Sequence, residues 1–427
     1  MITSSEEYAG RRDQLLARLP DESITILAAS QLCYRNNDCA YPFRQNSNFY
    51  YLTGLAEPGH LLILVKAENR QAYTCIFSPE YNASRLQWEG SYLNDQTAAK
   101  QLGIDQGFTI KHAIMFLTAH CGQANKIYLA DTSWKSVQTL LPEFAIKPDY
   151  ADKLTDLTPE LYALRRVKSA QEIALIQQAA DISVMAHLAA MKKCHAGMME
   201  YQLQAEFEYA CTYAGAQAMA YNSIVAGGGN ACVLHYQCNN QILRDGDLVL
   251  IDAGCEYQCY ASDITRTYPV NGRFSSEQAA IYDLVLQAQQ DALSVVSPGN
   301  SLQQVHQRAL ETLSQGLLDL GILSGSLSEV LEHKLYQPYF MHGIGHSLGL
   351  DVHDPGIKRG SDDPLEPGMV ITVEPGIYIS PDDHSVAPPW RAIGVRIEDD
   401  ILVTPDGYVN LTAALPGDRE SVEQILK

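Results

Sequence analysis

Four carboxylates and one imidazole in the C-terminal half of the chain, Asp252, Asp263, His346, Glu374 and Glu398, stand in short motifs whose neighbours suit metal ligation. Buried like charges cannot all stay ionised unless cations neutralise them. The set therefore reads as a two-metal hydrolytic centre, whose ions would lower the pKa of a shared water, deliver hydroxide at neutral pH and polarise a bound carbonyl. Asp252 ends the apolar run Leu248-Val249-Leu250-Ile251, where a free charge is costly to bury, so ligation is a stronger reading than a solvated turn. Between Asp252 and Asp263 lie Gly254 and a polar tip, so a hairpin can set both carboxylates on one face.

His342 and His346 belong to His-Gly-Ile-Gly-His, whose glycines argue against the regular helix of HExxH zinc proteases. One of the two is expected to ligate and the other to support the shell or meet substrate; read alone, two histidines packed in a loop explain the motif as well. Pro375-Gly376 fixes the strand end that carries Glu374. Arg396 and Glu398 share a strand face, where an arginine can orient a carboxylate, although singly they read as a surface pair. Asp399 and Asp400 are expected to be solvated or to support the ligands. Oxygen-rich ligation with one imidazole favours Mn²⁺, Co²⁺ or similar ions over the Cys/His shells of structural zinc, Mn²⁺ first. No Ser or Cys nucleophile is then needed. Glu374 can also exchange protons with the shared water, while His235, His342 and His353 can donate to the tetrahedral intermediate or the leaving amine. His235 alone, in Leu234-His235-Tyr236, reads better as a packed or surface residue.

The elements that must position these groups repeat. Leu243 to Gly254 aligns without a gap on Leu365 to Gly376, which superposes Asp252 on Glu374; a later strand in each half brings Asp263 or Glu398. A pseudo-twofold site with acids from both halves follows. Strands are expected at Asp247 to Ile251, Ala261 to Val270, Met369 to Val373 and Gly394 to Val403. Ser169 with Glu172, Ser275 with Gln278 and Ser301 with Gln304 form capping signatures ahead of helices, and a further helix covers Glu200 to Tyr213. The first 160 or so residues mix β-rich runs, such as Ser23 to Leu27 and Leu61 to Val65, with helical stretches, as in an α/β layer. Pro148 to Pro159 reads as a polar linker, which places a boundary near residue 163. Residues 1–163 and 164–427 are thus expected to form two domains, the second α+β. Ala226-Gly227-Gly228-Gly229-Asn230 lacks the Lys-Ser/Thr of a P-loop and reads as a tight connection before His235.

Thirty Lys+Arg against 50 Asp+Glu give a net charge of −20, which repels nucleic-acid backbones and anionic membrane surfaces. No apolar leader opens the chain, and no later stretch is expected to reach the roughly 18 to 20 apolar residues that span a bilayer. Ten scattered cysteines draw no disulfide framework, so a cytoplasmic location is expected.

LHY at 234–236, DGDLVLIDAGCEY at 245–257, SDITRTYPVNG at 262–272, FMHGIGHSLGLDVHD at 340–354, LEPGMVITVEPGIYI at 365–379 and GVRIEDDILVT at 394–404 together resemble the pita-bread metallopeptidases, and within them the bacterial aminopeptidase P (Xaa-Pro aminopeptidase) group. LRRVKSAQEI at 164–173 resembles the start of that family's catalytic domain. The resemblance implies a creatinase-like α/β N-terminal domain followed by an α+β pita-bread domain. It implies that Asp252, Asp263, His346, Glu374 and Glu398 bind two Mn²⁺ ions, with Co²⁺ or Zn²⁺ as substitutes, and that His235, His342, His353 and Arg396, with Tyr378, shape the substrate site. The implied reaction cleaves the bond between an N-terminal residue and a following proline in peptides, through a metal-bridging hydroxide, in a homodimer or homotetramer. Phe43 to Gly54, by itself a core strand with a polar approach, also resembles the group. Trp88 resembles a tryptophan that reaches a neighbouring subunit's active site, but the family's basic residues after Gly90 are here Ser91-Tyr92-Leu93. Prolidase, with the same five ligands and only dipeptide substrates, is the alternative. Methionine aminopeptidase and a metal-free binding protein of the same fold fit less well.

Overall fold

The computed structural model describes residues 5–70, 72–144, 148–357 and 360–427, and the chain divides into two compact units, Met1–Leu164 and Arg165–Lys427. In the first unit, Ser23–Ala28 is apolar enough to be buried along its whole length and takes the middle of a six-stranded sheet. Leu61–Lys66 and Ala72–Ser78 continue antiparallel on one side, with Gln106–Thr109 at that edge. On the other side run Lys126–Leu129 and Leu154–Asp156, both parallel.

Two sequence expectations change here. The stretch taken as a polar linker supplies the edge strand Leu154–Asp156, and the fully buried Leu157 follows it. The aromatic run after Phe43 is a helix, Ser47–Thr53, and not a strand. Its β-favouring side chains are overruled by its two ends: the Asn46 side chain accepts from the Phe49 amide, and Gly54 closes the helix at φ 67°.

The second unit packs helices against short antiparallel strands. Ser169, Ser275 and Ser301 each cap a helix with the partner three residues on, giving Ala170–Lys193, Ser276–Leu293 and Leu302–Asp319. Among the described residues Ala170–Lys193 alone is long and apolar enough by length and composition to cross a membrane, although Glu172 and Asp181 interrupt it and no unbroken apolar run of the expected length is present in it. Small alanines raise its apolarity, and its buried face, including Leu175, Ile176, Ala186 and Met191, lies in the core of this unit.

The repeat is visible in backbone hydrogen bonds. Gly197 and Leu243 in one half, and Gly299 and Leu365 in the other, make the same donation at 2.8 and 3.0 Å. Leu243 then donates to Met198, and Leu365 to Asn300, each at 2.7 Å. The strand Leu248–Asp252 pairs with Thr265–Pro269, as Val370–Val373 pairs with Asp399–Thr404.

Candidate metal centre

The two strands expected to run unbroken from residue 261 to 270 and from 394 to 403 are each interrupted, and the acids sit in the interruptions. Asp263 lies between Tyr260–Ala261 and Thr265–Pro269, and Glu398 between Ile393–Arg396 and Asp399–Thr404. A single bridge from Thr265 to Glu398 joins the halves at that point. Asp252 is therefore opposite Thr265 in the ladder, not opposite Asp263. Gly254 permits the close turn between them, because a Cβ there would meet the Ser262 carbonyl oxygen at 1.9 Å.

Nine of the ten predicted site residues line one cavity of about 650 Å³, His235, Asp252, Asp263, His342, His346, His353, Glu374, Arg396 and Glu398, and the tenth, Tyr378, lies behind Arg396 and His342. Ligating atoms of Asp263, His346 and Glu398 lie within 4.8 Å of one another. His346 Nε2 is 3.4 Å from Asp263 and 3.6 Å from Glu374, while its Nδ1 faces the Ser347 carbonyl at 3.1 Å. That second contact fixes the ring so that Nε2 points at the carboxylates. His353 meets His346 edge to face at 4.4 Å.

Arg396 is buried and forks between the halves. It donates to Asp252 at 2.6 Å, to the Tyr378 hydroxyl at 3.0 Å and to the Thr265 hydroxyl at 3.1 Å. Thr265 in turn donates to Glu398 at 2.6 Å, and Tyr378 meets His342 Nε2 at 2.8 Å. Sequence reasoning gave Arg396 and Tyr378, but it missed Tyr221. That hydroxyl reaches Asp252 at 2.7 Å and Asp263 at 2.5 Å, and no local pattern marks it. Asp399 and Asp400 are not solvated: Asp399 is paired with Arg266 at 2.7 Å, and buried Asp400 accepts the Asp263 amide at 3.2 Å.

Beyond the cavity wall, Asp354 follows His353 and is itself buried. It takes Arg165 at 2.6 Å and Lys168 at 3.2 Å, and its amide donates to the Ser347 carbonyl at 2.9 Å. These contacts fold the chain back so that His353 returns to His346.

Electrostatics supply the test of metal fit. Burial raises the Glu374 carboxyl to about 7, raises Asp252 and lifts Glu398 well above the usual carboxylate range. Burial alone would lower His346, but Asp263 and Glu374 carry it up to about 9. One tyrosine proton shared by two carboxylates cannot compensate such a cluster, whereas divalent cations held by oxygen and one imidazole can. The residues present fit the group.

A stability signature follows for the metal-free protein. Glu374 and His346 have folded-state values above their ordinary 4.5 and 6.5, so the folded state holds extra protons. Their contribution is fully present below about pH 4.5 and is lost as pH rises, through about 7 for Glu374 and about 9 for His346. Calorimetry in chelator should show Tm falling across that window, and added Mn²⁺ should flatten the slope. A Tm that climbs with pH over the same range would contradict the cluster's electrostatics.

The chain is similar to known proteins along both units. Residues 174–405 match the model of "Metallopeptidase family M24", and residues 8–128 match "Aminopeptidase P, N-terminal domain". The chain is 42% identical over 423 residues to a Xaa-Pro aminopeptidase of Haemophilus influenzae, covering 99% of this chain and 97% of that one. Among solved structures, proline aminopeptidase P II from Yersinia pestis superposes with a TM-score of 0.93 at 42% identity, with 99% of each chain covered. Aminopeptidase P from Escherichia coli with the inhibitor Pro-Leu gives 0.94 at 38% identity, covering 99% of this chain and 98% of that one.

Proposed function

Since the chain belongs to metallopeptidase family M24 and carries an aminopeptidase P N-terminal domain, we propose that it is an Xaa-Pro aminopeptidase, releasing the N-terminal residue of peptides whose second residue is proline. The observation that carries this reading is the convergence of His235, His342, His353, Arg396 and the five ligand candidates on one cavity.

Asp252, Asp263, His346, Glu374 and Glu398 would hold two divalent ions, Mn²⁺ first. When bound, such ions supply an acidified water and a Lewis acid for the scissile carbonyl. The protein's own groups do the rest. Glu374, buried beside His342 and His346, would take and return a proton during turnover. Arg396 holds Asp252 and Tyr378 in fixed orientation, and Tyr378 positions the His342 ring. His353, edge to face with His346 at 4.4 Å on the cavity wall, can donate a ring N–H to a developing oxyanion. The acidic wall receives the substrate's α-amine, and the prolyl ring lies toward the histidines.

Domain roles follow from the family: 1–163 as the aminopeptidase-P-type N-terminal domain and 164–427 as the catalytic domain. All ten cysteines are free, which supports a cytoplasmic setting. The net charge of −20 supports neither nucleic-acid nor membrane binding. The family resemblance supports a homodimer or homotetramer, while Ser91-Tyr92-Leu93 after Gly90 depart from the pattern that would bring Trp88 to a neighbouring copy.

Paired substrates test the reading. The Mn²⁺-loaded enzyme should cut the first bond of Xaa-Pro-Xaa tripeptides and leave Xaa-Ala-Xaa largely intact. Hydrolysis of the Xaa-Pro dipeptide alone would mean a dipeptidase instead. His353→Ala should lower kcat/KM by about 10²-fold with Tm nearly unchanged. Full specific activity with a Tm many degrees lower would make the residue structural.

A further inference from the structure

We propose that Glu200 is a positioning residue for His235, acting through the segment 227–241 that it clamps. Glu200 opens the helix Glu200–Tyr213 and is fully buried. No cation pairs with it among the described residues. Its carboxylate is satisfied by four hydrogen-bond donors, all from that one segment. The Gly227 amide donates to one oxygen at 2.8 Å and the Asn230 amide group at 2.9 Å. The Tyr236 hydroxyl donates to the other at 2.8 Å and the Gln241 amide at 2.9 Å. A carboxylate accepts about four such bonds, so its capacity is used completely.

One turn along the same helix, Gln204 accepts from Asn239 at 2.8 Å; Asn239 is buried at φ 45° and also ties Ser223 and Val225. The helix thus holds the segment at its start, near its middle and at its end. His235 needs this. It lines the cavity from an exposed stretch, and its neighbour Tyr236 is the nearest anchored side chain. A helix-start glutamate would ordinarily face solvent and serve the helix dipole. This one faces inward and spends its whole hydrogen-bonding capacity on the segment 227–241, so its role is geometric.

The inference rests on the proposed role of His235, and a cycle of variants separates the two. Glu200→Gln sets its NH2 group against a backbone amide, Gly227 or Gln241, that can only donate, and Tyr236→Phe removes one contact while keeping the ring. With the Mn²⁺-loaded enzyme and an Xaa-Pro-Xaa peptide, Glu200→Gln should lower kcat/KM on the order of tenfold, mostly in kcat. In a His235→Ala background the same change should cost less than about twofold. Amide exchange should quicken in 227–241 and stay unchanged elsewhere. Equal losses in both backgrounds, or unaltered exchange in that segment, would overturn the clamp. Unimpaired His235→Ala would instead overturn the role of His235. Should Glu200→Gln fail to fold, Tyr236→Phe carries the same comparison with an expected loss of about threefold.

Discussion

Glu374→Gln is expected to lower kcat/KM by about 10³-fold or more while making the metal-free protein more stable at neutral pH, not less. Both halves of that result come from one cause. The carboxyl is held near 7 because burial disfavours its charge, with His346 and Arg396 compensating only in part. Ionised at neutral pH without a cation, it destabilises the fold relative to the unfolded chain, where it titrates near 4.5. Glutamine keeps the shape and an oxygen for the Thr372 hydroxyl, which lies 3.4 Å from Glu374, but carries no charge to desolvate. The same swap removes a metal-binding oxygen and the group that exchanges protons with the attacking water. Melting curves in chelator and steady-state rates with Mn²⁺ check the two halves separately. Near-normal turnover would refute the catalytic role, and a large drop in metal-free Tm would refute the electrostatic account.

Arg396→Met carries the second large effect. The guanidinium is buried, 2.6 Å from Asp252, and it also satisfies Tyr378 and Thr265. Removing one partner of a buried pair leaves an uncompensated charge and costs about 3–5 kcal/mol. In metal-free protein at pH 7 the loss should therefore reach roughly ten degrees of Tm. It should shrink in acid, where Asp252 protonates, and shrink again with Mn²⁺ present, since the ions stabilise the same carboxylate. Activity should fall with the loss of Tyr378 and His342 alignment even when folding is rescued by metal. A penalty indifferent to both pH and metal would show that packing of the long side chain, and not charge, is what the residue provides.

The parts of this molecule that a sequence displays are those whose cause is local. Ser169, Ser275 and Ser301 announce their helices because the cap and its partner lie three residues apart. Asp252 and Glu374 stand out because each ends an apolar run at the same point of a repeat. Asp263 and Glu398 both line the cavity, but from a different kind of backbone than the unbroken strands their sequence suggests. Their β-rich surroundings hide the interruptions, at which a Thr265–Glu398 bridge joins the two halves. Ser47–Thr53 misled for a related reason: its Phe and Tyr residues favour strands, while the deciding groups, Asn46 and Gly54, sit just outside the run. Tyr221 and Glu200 left no trace at all. Tyr221 is 31 and 42 residues from the acids it bridges, and Glu200 looks like any acid at a helix start. Contacts of that span become legible only once the chain has folded.

The doubly neutralised Asp354 has a practical bearing on any attempt to isolate the C-terminal unit. Arg165 and Lys168 precede the capping Ser169, so a fragment begun at that serine, the natural place to cut by helix boundaries, would lack both of its counterions. Its aspartate would stay sealed beneath the loop of His353 with nothing to balance it. Excision upstream of Arg165 keeps both of those partners, so four residues of apparent tail decide whether the aspartate beneath His353 is balanced or bare.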